Sequence, residues 1–188
     1  MKPENIILMM YSSVATAYKN PYKDMLFTDP AETTDGDWVK YGCLEHVDYM
    51  GDDIRGDVFL GVVAGNATKV TQRIGRENPR VLNATINDTV FTYFIDHGAD
   101  ERVFVGYDEV SHWKLSAALK EAYDKKLYGK WVWFMEACHS GSMFSLLPDN
   151  MNIYAMTSSD YYRDANMSNC PPDDVVAGQA LDTCEWSF

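Results

Sequence analysis

Trp131-Val132-Trp133-Phe134-Met135-Glu136-Ala137-Cys138-His139-Ser140-Gly141-Ser142-Met143-Phe144 (WVWFMEACHSGSMF) decides the fold. Lys130 to Met135 is a bulky apolar run of strand length, and a continuous apolar run reads as a strand buried on both faces. It does not fade into a polar turn. It ends in a glutamate, a small residue, a cysteine and a histidine, and Ser140-Gly141-Ser142 then turns the chain. A core strand needs no such ending, whereas a reactive site does.

Working outward, a second run of this kind is Thr89 to Ile95 (TVFTYFI), read as another buried strand that ends in Asp96-His97-Gly98. Between the two, Leu115, Ala118, Leu119, Ala122, Tyr123 and Leu127 recur at helical spacing. They predict an amphipathic helix from about Ser111 to Tyr128, stopped by Gly129. Val103 to Val105 reads as a short extra strand. Ile6 to Tyr11 reads as a buried strand, and Asn152 to Met156 as a further one. A helix is expected from a cap at Asp52 or Asp53 to about Ala64. Residues 19–51 and 158–178 are rich in turn formers and read as loop.

Strands alternating with helices give an α/β fold with a mainly parallel sheet. In such sheets ligands bind outside the carboxyl ends of the strands. If the two loaded strands are parallel neighbours, His97 and Cys138 share one edge. A thiol nucleophile needs a base to take its proton, and an imidazole titrates near neutrality. The N–H groups of Gly98 and Cys138 are candidates for an oxyanion hole, since glycine permits close approach. His139 competes with His97 as the partner of Cys138. Adjacent strand residues point to opposite faces, which favours His97.

Bulk properties narrow the class. The 188 residues suit one domain, and 46% are hydrophobic, a folding composition. A net charge of −12 argues against nucleic acid and anionic membrane as partners. No stretch has the length of a membrane span. The four cysteines, Cys43, Cys138, Cys170 and Cys184, form no CxxC pair, and no metal ligand spacing stands out. Asn66, Asn83, Asn87 and Asn166 each begin an N-x-S/T sequon, which points to the secretory route. No signal peptide is visible at the start of the sequence.

The motifs YFIDHGAD, EACHSGSMF and LLPDNMNIYAMTSS, with ILMMYSSVATAYKNP and YMGDDIRGDVFLGVVAGNATKV before them, resemble the legumain family. These are asparaginyl endopeptidases of the caspase-like cysteine peptidase clan. The resemblance implies a caspase-like sheet flanked by helices and a Cys-His endopeptidase needing no cofactor. Its substrate would be a peptide or protein with asparagine before the scissile bond. Peptide ligase activity and a lysosomal, vacuolar or secreted location are also implied. His97 then matches the catalytic base and Cys138 the nucleophile, with Gly98 and the Cys138 amide as the oxyanion hole. Glu136 matches a wall of the asparagine pocket, where a carboxylate accepts the side-chain amide. Ser158 and Ser159 fall near the same pocket, and Asp96 matches a residue associated with a succinimide and ligation. The late pocket aspartate falls at Asp182, or at Cys184 when aligned on the aromatics that follow.

The chain departs from the family pattern at His139, which replaces a glutamate, and at Ala99-Asp100-Glu101. Nothing matches the family's first strand, so residues 1–188 are expected to form a single, truncated peptidase core without a prodomain. The alternatives are the catalytic subunit of the glycolipid-anchor transamidase and a non-catalytic homologue.

Overall fold

The computed structural model describes residues 2–11 and 47–165, together with four two-residue strands beyond them. The chain forms two compact units, Met1–Gly51 with Met167–Glu185, and Asp52–Asn166 with Trp186–Phe188.

In the first unit, β1 (Met9–Met10) pairs parallel with β2 (Tyr49–Met50). The Leu8 amide donates to Asp48 Oδ2 at 2.9 Å. The strand expected over Ile6–Tyr11 is thus only two residues long. A 3-10 turn at Pro3–Asn5 precedes it, and Ile6 is exposed. Residues 12–46, Cys170, Asp182 and Cys184 lie outside the described residues, as does most of the expected loop from Lys19 to Gly51.

The second unit is an α/β layer built on a parallel sheet. α1 spans Gly56–Val63, α2 Ala67–Ile74 and α3 His112–Asp124. β3 (Thr89–Ile95), β7 (Lys130–Glu136) and β8 (Ile153–Thr157) lie in the order β3-β7-β8, all parallel. After β3 the chain makes an antiparallel ribbon of β4 (Gly98–Ala99), β5 (Arg102–Val105) and β6 (Asp108–Ser111). It then enters α3, whose N-cap is Ser111. The remaining strands are β9 (Met167–Ser168), β10 (Val175–Val176), β11 (Gln179–Ala180) and β12 (Glu185–Trp186).

Three boundaries differ from the sequence reading for local reasons. Asp52 and Asp53 sit in a 3-10 turn, and α1 starts later, after Arg55. Its first N–H, on Gly56, finds a cap 52 residues away at Asp108 Oδ2, a partner no local pattern shows. α2 was not expected: Asn66 caps it by accepting from the Lys69 N–H, and Gly75 at φ +72° ends it. Asn66 also donates to Glu121 Oε1, so this sequon asparagine is a structural residue, whereas Asn83 and Asn87 are exposed. α3 stops at Asp124, four residues before the expected end, and Lys126 follows in the left-handed region at φ +58°.

The sheet has two unlike faces. Trp131, Trp133 and Met135 are fully buried with Phe94, and α1 seats Phe59 against Phe94 and Trp133 at 5.5 and 6.4 Å between ring centroids. α3 packs on α1 and on the turn that follows Cys138. The opposite face carries Phe91, Tyr93 and Ile95, then Val132 and Phe134, then Tyr154 and Met156. Phe91 is 50% exposed, so β3 is not buried on both faces as its apolar run predicts, and on β8 Tyr154 is 61% exposed. Among the described residues, β3 is an edge and nothing covers that face. Contiguous apolar surface of this kind favours self-association. Phe91→Lys with Tyr154→Lys should raise severalfold the concentration at which light scattering appears. The melting curve should change by no more than about 1 kcal/mol in stability, because both side chains are at least half exposed and Phe91 loses one edge contact with Phe134.

Tyr128 lies beneath this sheet and donates to the Met151 carbonyl at 2.9 Å. Burial first raises its phenol to about 12, and burial followed by the Glu136 carboxylate does the same for Tyr93. Both folded values lie above the ordinary 10, so the fold favours the neutral phenol. That stability is complete below pH 10 and is lost as pH rises towards 12. Unfolding titrations between pH 9 and 12 should therefore show a decline, with phenolate absorbance lagging that of free tyrosine. A flat stability profile would contradict it.

Candidate active site

β3 and β7 run side by side to their carboxyl ends, where Ile95 stands opposite Glu136 and the Asp96 N–H donates to the Glu136 carbonyl at 3.2 Å. Continuing the register brings the His97-Gly98 turn onto Cys138. The contact is so close that a Cβ on Gly98 would lie 2.1 Å from the Cys138 carbonyl oxygen and 3.0 Å from Ala137 Cβ. Only glycine permits this approach. The ribbon holds the turn from the other side, since Phe104 donates its N–H to the His97 carbonyl at 2.9 Å. His97 is exposed, and its own N–H donates to Asp96 Oδ1 at 2.7 Å. Burial raises the Asp96 carboxyl, while the amides of His97 and Gly106 pull it the other way.

Cys138 is a free, half-exposed thiol that donates weakly to the Ala165 carbonyl at 3.9 Å. Burial pushes its pKa up from the ordinary range, and the Asp164 carboxylate adds in the same direction. Its ground state near neutral pH is therefore the neutral thiol. A thiol of this kind needs a base to become a nucleophile, and the adjoining turn carries an imidazole, His97.

The turn after Cys138 is braced from β8. Ser158 Oγ accepts from the Ala137 N–H at 3.1 Å, and Ser159 Oγ donates to the Ala137 carbonyl at 2.9 Å. Ser159 also bonds Ser140, and the Gly141 N–H donates to the Ser159 carbonyl at 3.1 Å. A Cβ on Gly141 would lie 2.9 Å from the Asp160 carbonyl carbon, which explains the glycine inside the 3-10 turn Ser140–Phe144. Ser158 and Ser159 thus spend their hydroxyls on the main chain beside Cys138.

Glu136 is 3% exposed and accepts a short hydrogen bond from the Tyr93 hydroxyl. Tyr93 is a partner of Glu136 that the sequence reading missed. Its signal was the register: Ile95 faces Glu136, so Tyr93 is its diagonal neighbour across the pair, within reach of a long side chain. His139 has a left-handed backbone, φ +54°. Its ring contacts the Tyr161 carbonyl and Asp164. Glu136 and the neighbouring Cys138 and Gly98 thus converge at one end of the sheet with the His97 turn, while Asp182 lies outside the described residues.

A model of the peptidase C13 family matches residues 1–184. Legumain from Mus musculus is 36% identical over 157 residues, 84% of this chain and 34% of that protein. Hemoglobinase from Schistosoma mansoni is 34% identical over 185 residues, 98% of this chain and 38% of that protein. Vacuolar-processing enzyme from Vicia sativa is 32% identical over 185 residues, 97% of this chain and 36% of that protein. The chain spans about a third of the length of the curated relatives it matches.

Proposed function

The chain belongs to the peptidase C13 family, and from that premise we propose a cysteine endopeptidase that cleaves peptide bonds after asparagine through His97 and Cys138. The observation that carries this reading is the fit of Gly98 onto the Cys138 carbonyl, which joins the His97 turn to the thiol. His97 takes the Sγ proton as the sulfur attacks the substrate carbonyl carbon. The oxyanion that forms is held by the N–H groups of Gly98 and Cys138. The C–N bond then breaks and His97 returns the proton to the leaving amine. Water attacks the resulting thioester to give the acid and free thiol. An incoming amine attacking instead gives a new peptide bond, which is the ligase variant of the same cycle.

Glu136 supplies the asparagine preference. Tyr93 occupies one carboxylate oxygen, and the side-chain amide of the substrate donates to the other. Ser158 stands at the base of this pocket, bracing Ala137. Asp96, half-buried beside the His97 amide, is the residue through which a succinimide would form. The names of the relatives, vacuolar-processing enzyme among them, favour a lysosomal or vacuolar setting. No helix among the described residues is long and apolar enough to cross a membrane.

The test is hydrolysis of paired fluorogenic peptides, with Asn or Gln before the scissile bond, from pH 4 to 8. Asn-selective cleavage that vanishes in Cys138→Ala, with an unchanged melting curve, supports the reading. Cleavage that survives Cys138→Ala, or equal rates on Asn and Gln, counts against the nucleophile or the pocket respectively.

A further inference from the structure

The residues at which this chain departs from the family pattern are linked to one another. His139 donates its N–H to the Arg163 carbonyl at 2.8 Å. Its Nδ1 lies 3.1 Å from the Tyr161 carbonyl oxygen and its Nε2 3.3 Å from Asp164 Oδ1. A carbonyl and a carboxylate only accept, so both ring bonds are made together only by the doubly protonated imidazolium. The Tyr161 hydroxyl donates to Glu101 Oε1, and Glu101 Oε2 lies 3.5 Å from Nε2 of the buried His112. Within the same segment Arg163 pairs with Asp160 at 3.3 Å. The segment 161–165 is thereby fastened at both ends, and it presents the Ala165 carbonyl and the Asp164 carboxylate to the Cys138 thiol.

We infer that His139 is a positioning residue for Cys138: it clasps segment 161–165 against the nucleophile and offsets the charge of Asp164 beside it. This role presupposes Cys138 as the nucleophile but not any peptide specificity. The groups that face the clasp are Asp164, the thiol of Cys138, the Arg163–Asp160 pair, and Tyr161 with Glu101 and His112 behind it. Loss of the clasp frees segment 161–165 and leaves the Asp164 charge uncompensated next to the sulfur. Thiolate formation then becomes harder. Segment 161–165 thus ties the reactivity of Cys138 to His139.

The test measures alkylation of Cys138 by iodoacetamide, followed by mass spectrometry of the peptide that contains it, from pH 6 to 11. No hydrolysis is needed, so failure of the peptidase reading would leave this readout intact. His139→Asn, which tolerates a left-handed backbone, should move the midpoint up by about half to one pH unit, or roughly three- to tenfold in rate at pH 7. Asp164→Asn should move it down. The double variant should follow Asp164→Asn, and His139→Arg, a cation that can donate to both acceptors, should restore the wild-type profile. Asp164 is 78% exposed, so its variant keeps the inference testable even if His139→Asn fails to fold. An unmoved midpoint in either single variant, or the full His139→Asn shift persisting when Asp164 is already Asn, overturns it.

Discussion

Gly98→Ala is expected to abolish Cys138-dependent hydrolysis, by about a hundredfold or more, while the chain still folds. A methyl at this position would sit 2.1 Å from the Cys138 carbonyl oxygen, inside any allowed contact. The atom it meets is main chain, braced by Ser158 and Ser159 through Ala137, so it cannot swing aside as a side-chain tip would. The strand ends must part, and the parting separates His97 from the thiol. Displacement of catalytic groups by about 1 Å costs on the order of a hundredfold in rate. Overpacking costs about 1–3 kcal/mol, less than the total stability of a typical domain. Hydrolysis should therefore fall far more than the melting midpoint. Alkylation of Cys138 should persist, because the thiol itself is untouched. Full activity in Gly98→Ala would show that the two turns do not meet as the structure has them.

The same junction shows what was legible in the sequence. Strand positions with chemically loaded ends were readable, since Thr89–Ile95 and Lys130–Glu136 are mostly bulky and apolar, and each leads into a turn with titratable side chains. Their adjacency followed from the helical pattern between them. Exposure was not readable. Phe91 and Tyr93 look like core residues, but nothing among the described residues covers their face. An apolar run states what could be buried, not what is. Caps supplied from afar were also invisible, because Asp108 serves Gly56 across 52 residues. At the site, His97, Gly98, Glu136 and Cys138 could be named from motifs. Asp164 and Tyr161 could not: they lie in a stretch read as polar loop, and their meaning appears only when the chain after β8 folds back on His139.

Trp133→Ala is expected to remove about 3–5 kcal/mol of stability, the usual range for deleting a buried large aromatic side chain. Trp133 has no solvent exposure. Its ring lies 6.4 Å from Phe59 on α1, 5.6 Å from Trp131 on its own strand and 5.8 Å from Phe144, at the end of the turn that follows Cys138. One side chain therefore ties the covering helix, the central strand and the turn after Cys138 together. A domain with a total stability of about 5–15 kcal/mol keeps little after such a loss. Trp133→Phe should behave differently. Among the described residues the indole N–H is buried without an acceptor, and an unmet buried donor costs about 1–3 kcal/mol. Phenylalanine deletes that donor and keeps most of the ring contacts, so the two effects oppose and the net change should stay within about 1.5 kcal/mol. Urea unfolding of the two variants side by side decides the matter. If Trp133→Ala costs less than about 1 kcal/mol, Trp133 is not the shared anchor of α1, β7 and the Cys138 turn. If Trp133→Phe costs as much as the alanine, the indole N–H has a partner that holds it.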